Sequence, residues 1–317
     1  MKLRQMVVWG AVILALGAVV YAGWQRQQTE MAGDGVSVVA SFYPLAEFAR
    51  QAGGEAAQVT TVVPSDAEPH EYEPTPQEVA KVYTADLFIY NGSGLDPWAE
   101  RIAPDLIQKG IRGIHMSQLM PLLAGTGEAH EEGDEQAEEE ASEYDPHFWL
   151  DPVLAQQQVE AIRDALVAVD PAHAADYKNN SDAYGAELRQ LDQDYRQGLQ
   201  SCARRDIVTS HAAFGYLAKR YGLSVTTIAG LSTEEEPSAR RLSEIAQLAR
   251  EKNIQYIFFE TLVSPRLAQT VAAEIGAQTL VFNPIEGLTD NEQADGQDYL
   301  SVMRENLQNL RRALECK

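Results

Sequence analysis

The sequence predicts an α/β protein of two lobes, each built on a mostly parallel sheet flanked by helices, with one long helix joining them. Three observations carry this prediction. Short β-rich runs alternate with helical patterns in both halves of the chain, as βαβ units on a parallel sheet require. A segment almost free of Gly and Pro separates the two halves. The chain has 317 residues and 45% hydrophobic content, enough for two cores rather than one.

The elements follow in order after a polar stretch from Gln25 to Gly35. Strands are expected over Val36 to Ser41, Val59 to Val63, Asp86 to Tyr90 and Gly113 to Met116. Helices are expected between them over Pro44 to Ala52, Pro76 to Thr84 and Pro97 to Lys109, each opened by a proline that fits the first helical turn. The segment from Gly125 to Tyr144 is acidic and of low complexity, and reads as a mobile loop. Pro152 to Val169 reads as a helix. Asp170-Pro171 then supplies an N-cap and a proline for another, which could run to about Gln200 and reach roughly 45 Å at about 1.5 Å per residue.

The alternation restarts with strands over Asp206 to Ser210, Ser224 to Ala229, Gln255 to Phe259 and Thr279 to Phe282. Helices over Ala212 to Tyr221, Ser238 to Lys252 and Ser264 to Ile275 separate them, and a last helix is expected from about Asn291 to Glu315. The chain thus divides into an N-terminal segment (1–35), a first lobe (36–169, with the acidic loop 125–144), a connecting helix (170–200) and a second lobe (201–317).

Charge and the N-terminus narrow the function classes. The formal net charge is -22, and the stretch from Glu128 to Asp145 holds ten carboxylates and no Lys or Arg. Such a surface repels phosphate backbones, which argues against nucleic acid and suits a cationic ligand or plain solubility. Lys2 and Arg4 precede an uncharged run from Met6 to Trp24, the pattern of a secretory signal or a membrane anchor, so the rest is expected outside the cytoplasm. No cysteine lies near that run, which excludes a lipid-modified N-terminal cysteine. Cys202 and Cys316 are the only cysteines, compatible with one disulfide or with two unrelated thiols, and no Cys-x-x-Cys spacing offers a metal site.

Three of the six histidines fall where a predicted strand gives way to a loop or helix. His70 lies in the run from Val63 to Pro74, His147 between Pro146 and Pro152, and His211 directly after the strand ending at Ser210. Ligands of open parallel sheets bind beyond the carboxyl ends of the strands, where all three are expected. Neutral imidazoles are good zinc ligands, and three of them at about 2.0 to 2.1 Å would supply most of a tetrahedral shell. Any one of them alone is more often a hydrogen-bonded structural residue than a ligand. His115 and His173 are read as structural or exposed.

Several ordered segments together resemble the zinc and manganese ABC-transporter substrate-binding protein family. They are Pro69-His70-Glu71-Tyr72-Glu73-Pro74, Asn91 to Trp98, Asp145-Pro146-His147-Phe148-Trp149-Leu150-Asp151-Pro152, His211-Ala212-Ala213-Phe214-Gly215-Tyr216 and Phe259-Glu260. The likeness spans about residues 36 to 315. It implies a rigid connecting helix and a metal held between the lobes by His70 and His147 from the first and His211 from the second. Histidine at the third of these positions is the family's zinc-leaning choice, so Zn2+ is favoured over Mn2+. The family commonly has aspartate where this chain has Asn283, which leaves the fourth ligand to Asn283, to water or to Glu71.

The implied role is capture of the ion outside the cytoplasm and its delivery to an ABC permease, by a monomer that is not an enzyme. Two other readings stand beside it. One is a zinc-dependent hydrolase with three histidines and an activated water, although neither His-Glu-x-x-His nor Gly-x-Ser-x-Gly occurs. The other is an anchored adhesin with a structural metal.

Overall fold

The computed structural model describes residues 35–125, 144–231 and 237–317. The expected signal or anchor over Met6 to Trp24 lies outside them, as does nearly all of the acidic loop. No helix among the described residues is long and apolar enough to cross a membrane.

The first half of the chain runs β1 (Val36–Ala40), α1 (Tyr43–Gly53), β2 (Ala57–Thr61), α2 (Pro76–Val82), β3 (Leu87–Tyr90), α3 (Pro97–Gln108) and β4 (Arg112–His115). Its four strands pair in parallel in the order β2-β1-β3-β4. Prolines open α1, α2 and α3 as expected, and Thr75 and Glu78 form a reciprocal capping box at the start of α2. Next come α4 (Pro152–Val169), capped by Asp151, and α5 (Ala174–Gly198).

The second half repeats the plan with β5 (Asp206–Thr209), α6 (Gly215–Tyr221), β6 (Ser224–Thr227), α7 (Ala239–Glu251), β7 (Tyr256–Phe259), α8 (Arg266–Ile275) and β8 (Gln278–Val281). The strand order is β6-β5-β7-β8, again all parallel. Helices α9 (Asp290–Ala294) and α10 (Tyr299–Ala313) end the chain. Two α/β lobes with parallel sheets and a long intervening helix are therefore present.

Several boundaries differ from expectation, β2 (Ala57–Thr61 against Val59 to Val63) among them, and three differences have a local cause. The connector opens with a 3-10 turn over Pro171–His173, because Asp170 tightens the first turn by accepting from Ala172, so the α-helix proper starts at Ala174. The helix expected from Ala212 begins at Gly215, since the Ala212 amide is drawn to the Gly230 carbonyl. The single last helix is two: Gly296 takes a left-handed conformation (φ 71°), and Asp298 caps a fresh helix two residues later.

The connecting helix is packed rather than free-standing. It lies against α1 and α4 on one side and α10 on the other, where the buried Tyr195 hydroxyl donates to the Met303 carbonyl at 2.8 Å. One hydrophobic cluster runs from Val36 in β1 to Leu314 beyond α10, so the lobes share a core. Smaller clusters fill the far face of each sheet. The segment entering α4 is the main rivet between lobes. The indole of Trp149 donates to Pro284 O at 2.8 Å, its carbonyl accepts from Tyr299 at 2.6 Å, and Asp151 receives Arg220 at 2.6 Å. Trp149 is wholly buried, worth about 2 to 3 kcal/mol for a large apolar side chain. Cys202 and Cys316 are joined as a disulfide spanning 114 residues.

Candidate metal site

Parallel pairing places the carboxyl ends of each sheet's strands at one edge, and the two edges face a common cleft. His70 enters on the loop between β2 and α2, His147 on the segment before α4, and His211 two residues after β5. Their Nε2 atoms converge: His147 lies 3.2 Å from His70 and 3.4 Å from His211. A fourth group joins them. The Oε1 of Glu286 is 3.5 Å from His70 Nε2, 3.2 Å from His147 Nε2 and 3.4 Å from His211 Nε2.

All four candidate ligand atoms lie within 4.8 Å of one another, and His147, His211 and Glu286 are buried. Glu286 Oε1 finds no well-formed hydrogen bond among the described residues. A buried carboxylate oxygen facing three imidazole nitrogens is a strong cation-seeking arrangement. Five of the six separations lie at 3.2 to 3.5 Å, near the edges of about 3.3 to 3.4 Å of a tetrahedron with arms of about 2.0 to 2.1 Å, as zinc has with nitrogen ligands.

Glu286, and not Asn283, is the fourth member of the cluster. Asn283 is spent on structure: its side-chain oxygen accepts from the Ile285 amide at 2.7 Å, and its amide donates to Thr261 at 3.0 Å and Glu292 at 2.9 Å. That first bond holds Ile285 at φ 59°, a costly conformation for a β-branched residue, and the turn it makes carries Glu286 into the cleft. Glu71 is exposed and outside the cluster. Gly287 completes the turn, because a Cβ there would collide with the Ser65 carbonyl of the His70 loop. One signal for Glu286 was visible in the sequence: it is the lone carboxylate in the apolar and proline-bearing run from Leu280 to Leu288.

Two of the imidazoles are oriented from behind. Asp145 Oδ1 accepts from His147 Nδ1 at 2.8 Å and from its backbone amide at 2.9 Å, and Glu260 Oε1 accepts from His211 Nδ1 at 2.6 Å. Ser210 donates to the same Glu260 oxygen. This leaves Nε2 of each ring free for a metal, the usual carboxylate-histidine-metal relay. His70 makes its second bond through the main chain, its amide donating to Glu68 at 3.2 Å.

The electrostatics follow. Burial lowers the pKa of His70, outweighing the pull of Glu286 in the other direction. Burial also opposes the charged forms of His147 and His211, but Asp145, Glu260 and Glu286 outweigh it and raise both, His211 far above the ordinary value. Burial pushes Glu286 up, yet the three imidazoles hold it well below the usual carboxylate range. Glu68 is pushed up to about 9, by burial first and by the neighbouring Glu286 second. His115 and His173 lie elsewhere: His115 stacks on Tyr90 at 4.6 Å, and His173 joins the Asp170 cap.

Two lobes closing on three imidazoles and a carboxylate define a binding protein of the cleft type, furnished to hold a divalent transition metal. The chain matches the family model described as zinc-uptake complex component A, periplasmic, over residues 38–313, and it belongs to that family. It is 40% identical over 285 residues to the high-affinity zinc uptake system protein ZnuA of Bacillus subtilis (strain 168), covering 90% of this chain and 89% of that protein. It is likewise 40% identical to the zinc-binding lipoprotein AdcA of Streptococcus pneumoniae (strain ATCC BAA-255 / R6), but spans only 56% of that longer protein. The crystal structure of the Zn(II)-bound ZnuA-like domain of Streptococcus pneumoniae AdcA superposes with a TM-score of 0.76 at 38% identity, covering 89% of this chain and 99% of that one.

Proposed function

We propose that this chain is the substrate-binding component of an ABC importer for zinc, holding the ion between its lobes with His70, His147, His211 and Glu286 and delivering it to a membrane permease. The observation that carries the reading is the convergence of three Nε2 atoms and one buried carboxylate oxygen, five of whose six separations are 3.2 to 3.5 Å, close to the edge lengths of a zinc tetrahedron. Imidazole suits zinc, whereas manganese favours oxygen-rich shells, so the donor set supports zinc over manganese. Membership of the zinc-uptake family supports the transport role.

The same geometry speaks for carriage rather than catalysis. A hydrolytic zinc keeps one position open for water, and here Glu286 stands at the fourth corner. The protein works outside the cytoplasm, as a monomer. The Cys202–Cys316 disulfide and the periplasmic family description support that location. The deciding experiment is a competitive titration of the chelator-stripped protein with zinc and manganese. One zinc bound per folded chain, far more tightly than manganese, is the expected result. A folded protein with no saturable zinc binding would end the reading.

A further inference from the structure

One hydroxyl on the second lobe is wired to the residue that orients His147. Tyr216, on α6 and five residues after His211, is buried at 4% exposure. Its hydroxyl donates to the Asp145 carbonyl at 2.9 Å and accepts from the Leu123 amide at 2.9 Å. Leu123 and Asp145 are themselves joined, the Asp145 amide donating to Leu123 O at 2.9 Å, next to the antiparallel bridge between Ala124 and Tyr144. The Tyr216 hydroxyl therefore ties two strands of first-lobe chain to α6. Gly215, beside it, leaves the space in which the Asp145 carboxylate lies, because a Cβ there would strike Asp145 Oδ2. Asp145 Oδ1 in turn holds both the backbone and the Nδ1 of His147.

We infer that Tyr216 is a positioning residue for metal capture: its hydroxyl fixes the Asp145 main chain, and Asp145 fixes the ring of His147. The inference rests on His147 being a ligand, as proposed above. The second lobe thus presets a ligand that the sequence order assigns to the first. Replacing Tyr216 by Phe keeps the aromatic ring, whose edge packs on Phe148 at 6.2 Å, while the Asp145 carbonyl loses a donor and the Leu123 amide an acceptor. The Asp145 carboxylate is then freer to swing, and His147 loses its fixed orientation and tautomer.

The test compares Tyr216→Phe with Tyr221→Phe in the full chain. Tyr221 lies on the same helix, and its hydroxyl donates to Asp192 on α5 at 3.0 Å. Three quantities are read for each: the zinc dissociation constant by chelator competition, the metal-free Tm, and the NMR resonance of the His147 Nδ1 proton in the zinc-loaded protein. Tyr216→Phe is expected to weaken zinc binding about tenfold and to shift or broaden that resonance. Tyr221→Phe is expected to lower the metal-free Tm and change neither. The inference is overturned by a Tyr216→Phe protein that binds zinc within about twofold of the parent with the resonance unmoved. Equal weakening in both variants overturns it too, since the effect would then be one of stability. A parent protein that binds no zinc removes the site reading, and this inference with it.

Discussion

His70 and His211 lie almost equally far from one carboxylate oxygen, 3.5 and 3.4 Å from Glu286, yet their surroundings move their protons in opposite directions. His211 is backed by Glu260, which raises its pKa despite complete burial. His70 is backed by a main-chain contact to Glu68, and burial lowers its pKa. The contrast separates two demands on a metal ligand. A carboxylate behind the ring fixes its direction and increases its basicity, but also fills the empty site with protons. A ring without one is deprotonated in advance and less firmly aimed. The cleft combines both kinds, with His147 on the His211 side of the comparison.

The largest effects expected come from cutting the ligands. His211→Ala should weaken zinc by about a thousandfold, about 4 kcal/mol, in chelator competition. It should also lower metal-free stability by about 2 kcal/mol in denaturant titration, because Glu260 loses its buried partner. His70→Ala should weaken zinc comparably but lower metal-free stability less than His211→Ala does, because among the described residues no carboxylate accepts from its Nδ1. Equal destabilisation by both would break the contrast. One step smaller, Glu260→Gln keeps the shape of the side chain and removes its charge, and should weaken zinc by about 10- to 100-fold.

The pH dependence is next in size, and its sign is fixed by the raised groups. His147 and His211 hold protons in the metal-free protein above the ordinary value of about 6.5, and zinc must displace them. Apparent zinc affinity should therefore already fall as pH drops from 8 towards 6.5, by about tenfold per unit for each proton displaced. Calorimetry in buffers of different ionisation heat should register the released protons. Metal-free stability runs the other way. A raised histidine contributes stability fully below its unfolded value and loses it as pH rises through the folded one, so the gap between zinc-loaded and metal-free Tm should widen from pH 6 to 8. A gap independent of pH would show that the carboxylates behind the rings do not load them with protons. At the small end, Glu71→Gln, at an exposed position outside the cluster, should change zinc affinity by less than about twofold.

The parts of the molecule governed by local pattern were legible in the sequence. Strand and helix alternation gave both parallel sheets, the helix read from Pro152 to Val169 matches α4 to the residue, and the position of His70, His147 and His211 at strand ends foretold their convergence. What escaped depends on contacts between distant segments. Glu286 reaches the cleft through a left-handed Ile285 held by Asn283, and no periodicity announces such a turn. Asn283 attracted attention through its position in the family pattern, but its side chain supports the turn three residues before the carboxylate. Glu260 and Asp145 were visible only as members of familiar segments, since their task is defined by the rings they face. The break at Gly296 was missed because one glycine in a polar helical stretch is a weak stop signal until its φ is known.

The bond between Cys202 and Cys316 makes the second lobe a covalent ring with the first lobe as its tail. A single peptide cut within the ring adds only a water to the mass and leaves the chain in one piece until the disulfide is reduced. The ring also holds β5, which His211 follows, and the turn bearing Glu286 within one closed loop, so that half of the site cannot be pulled apart by its ends. A pull applied to the described chain is borne by the shared core and by the segment around Trp149. First-lobe unravelling should therefore precede any opening of the ring.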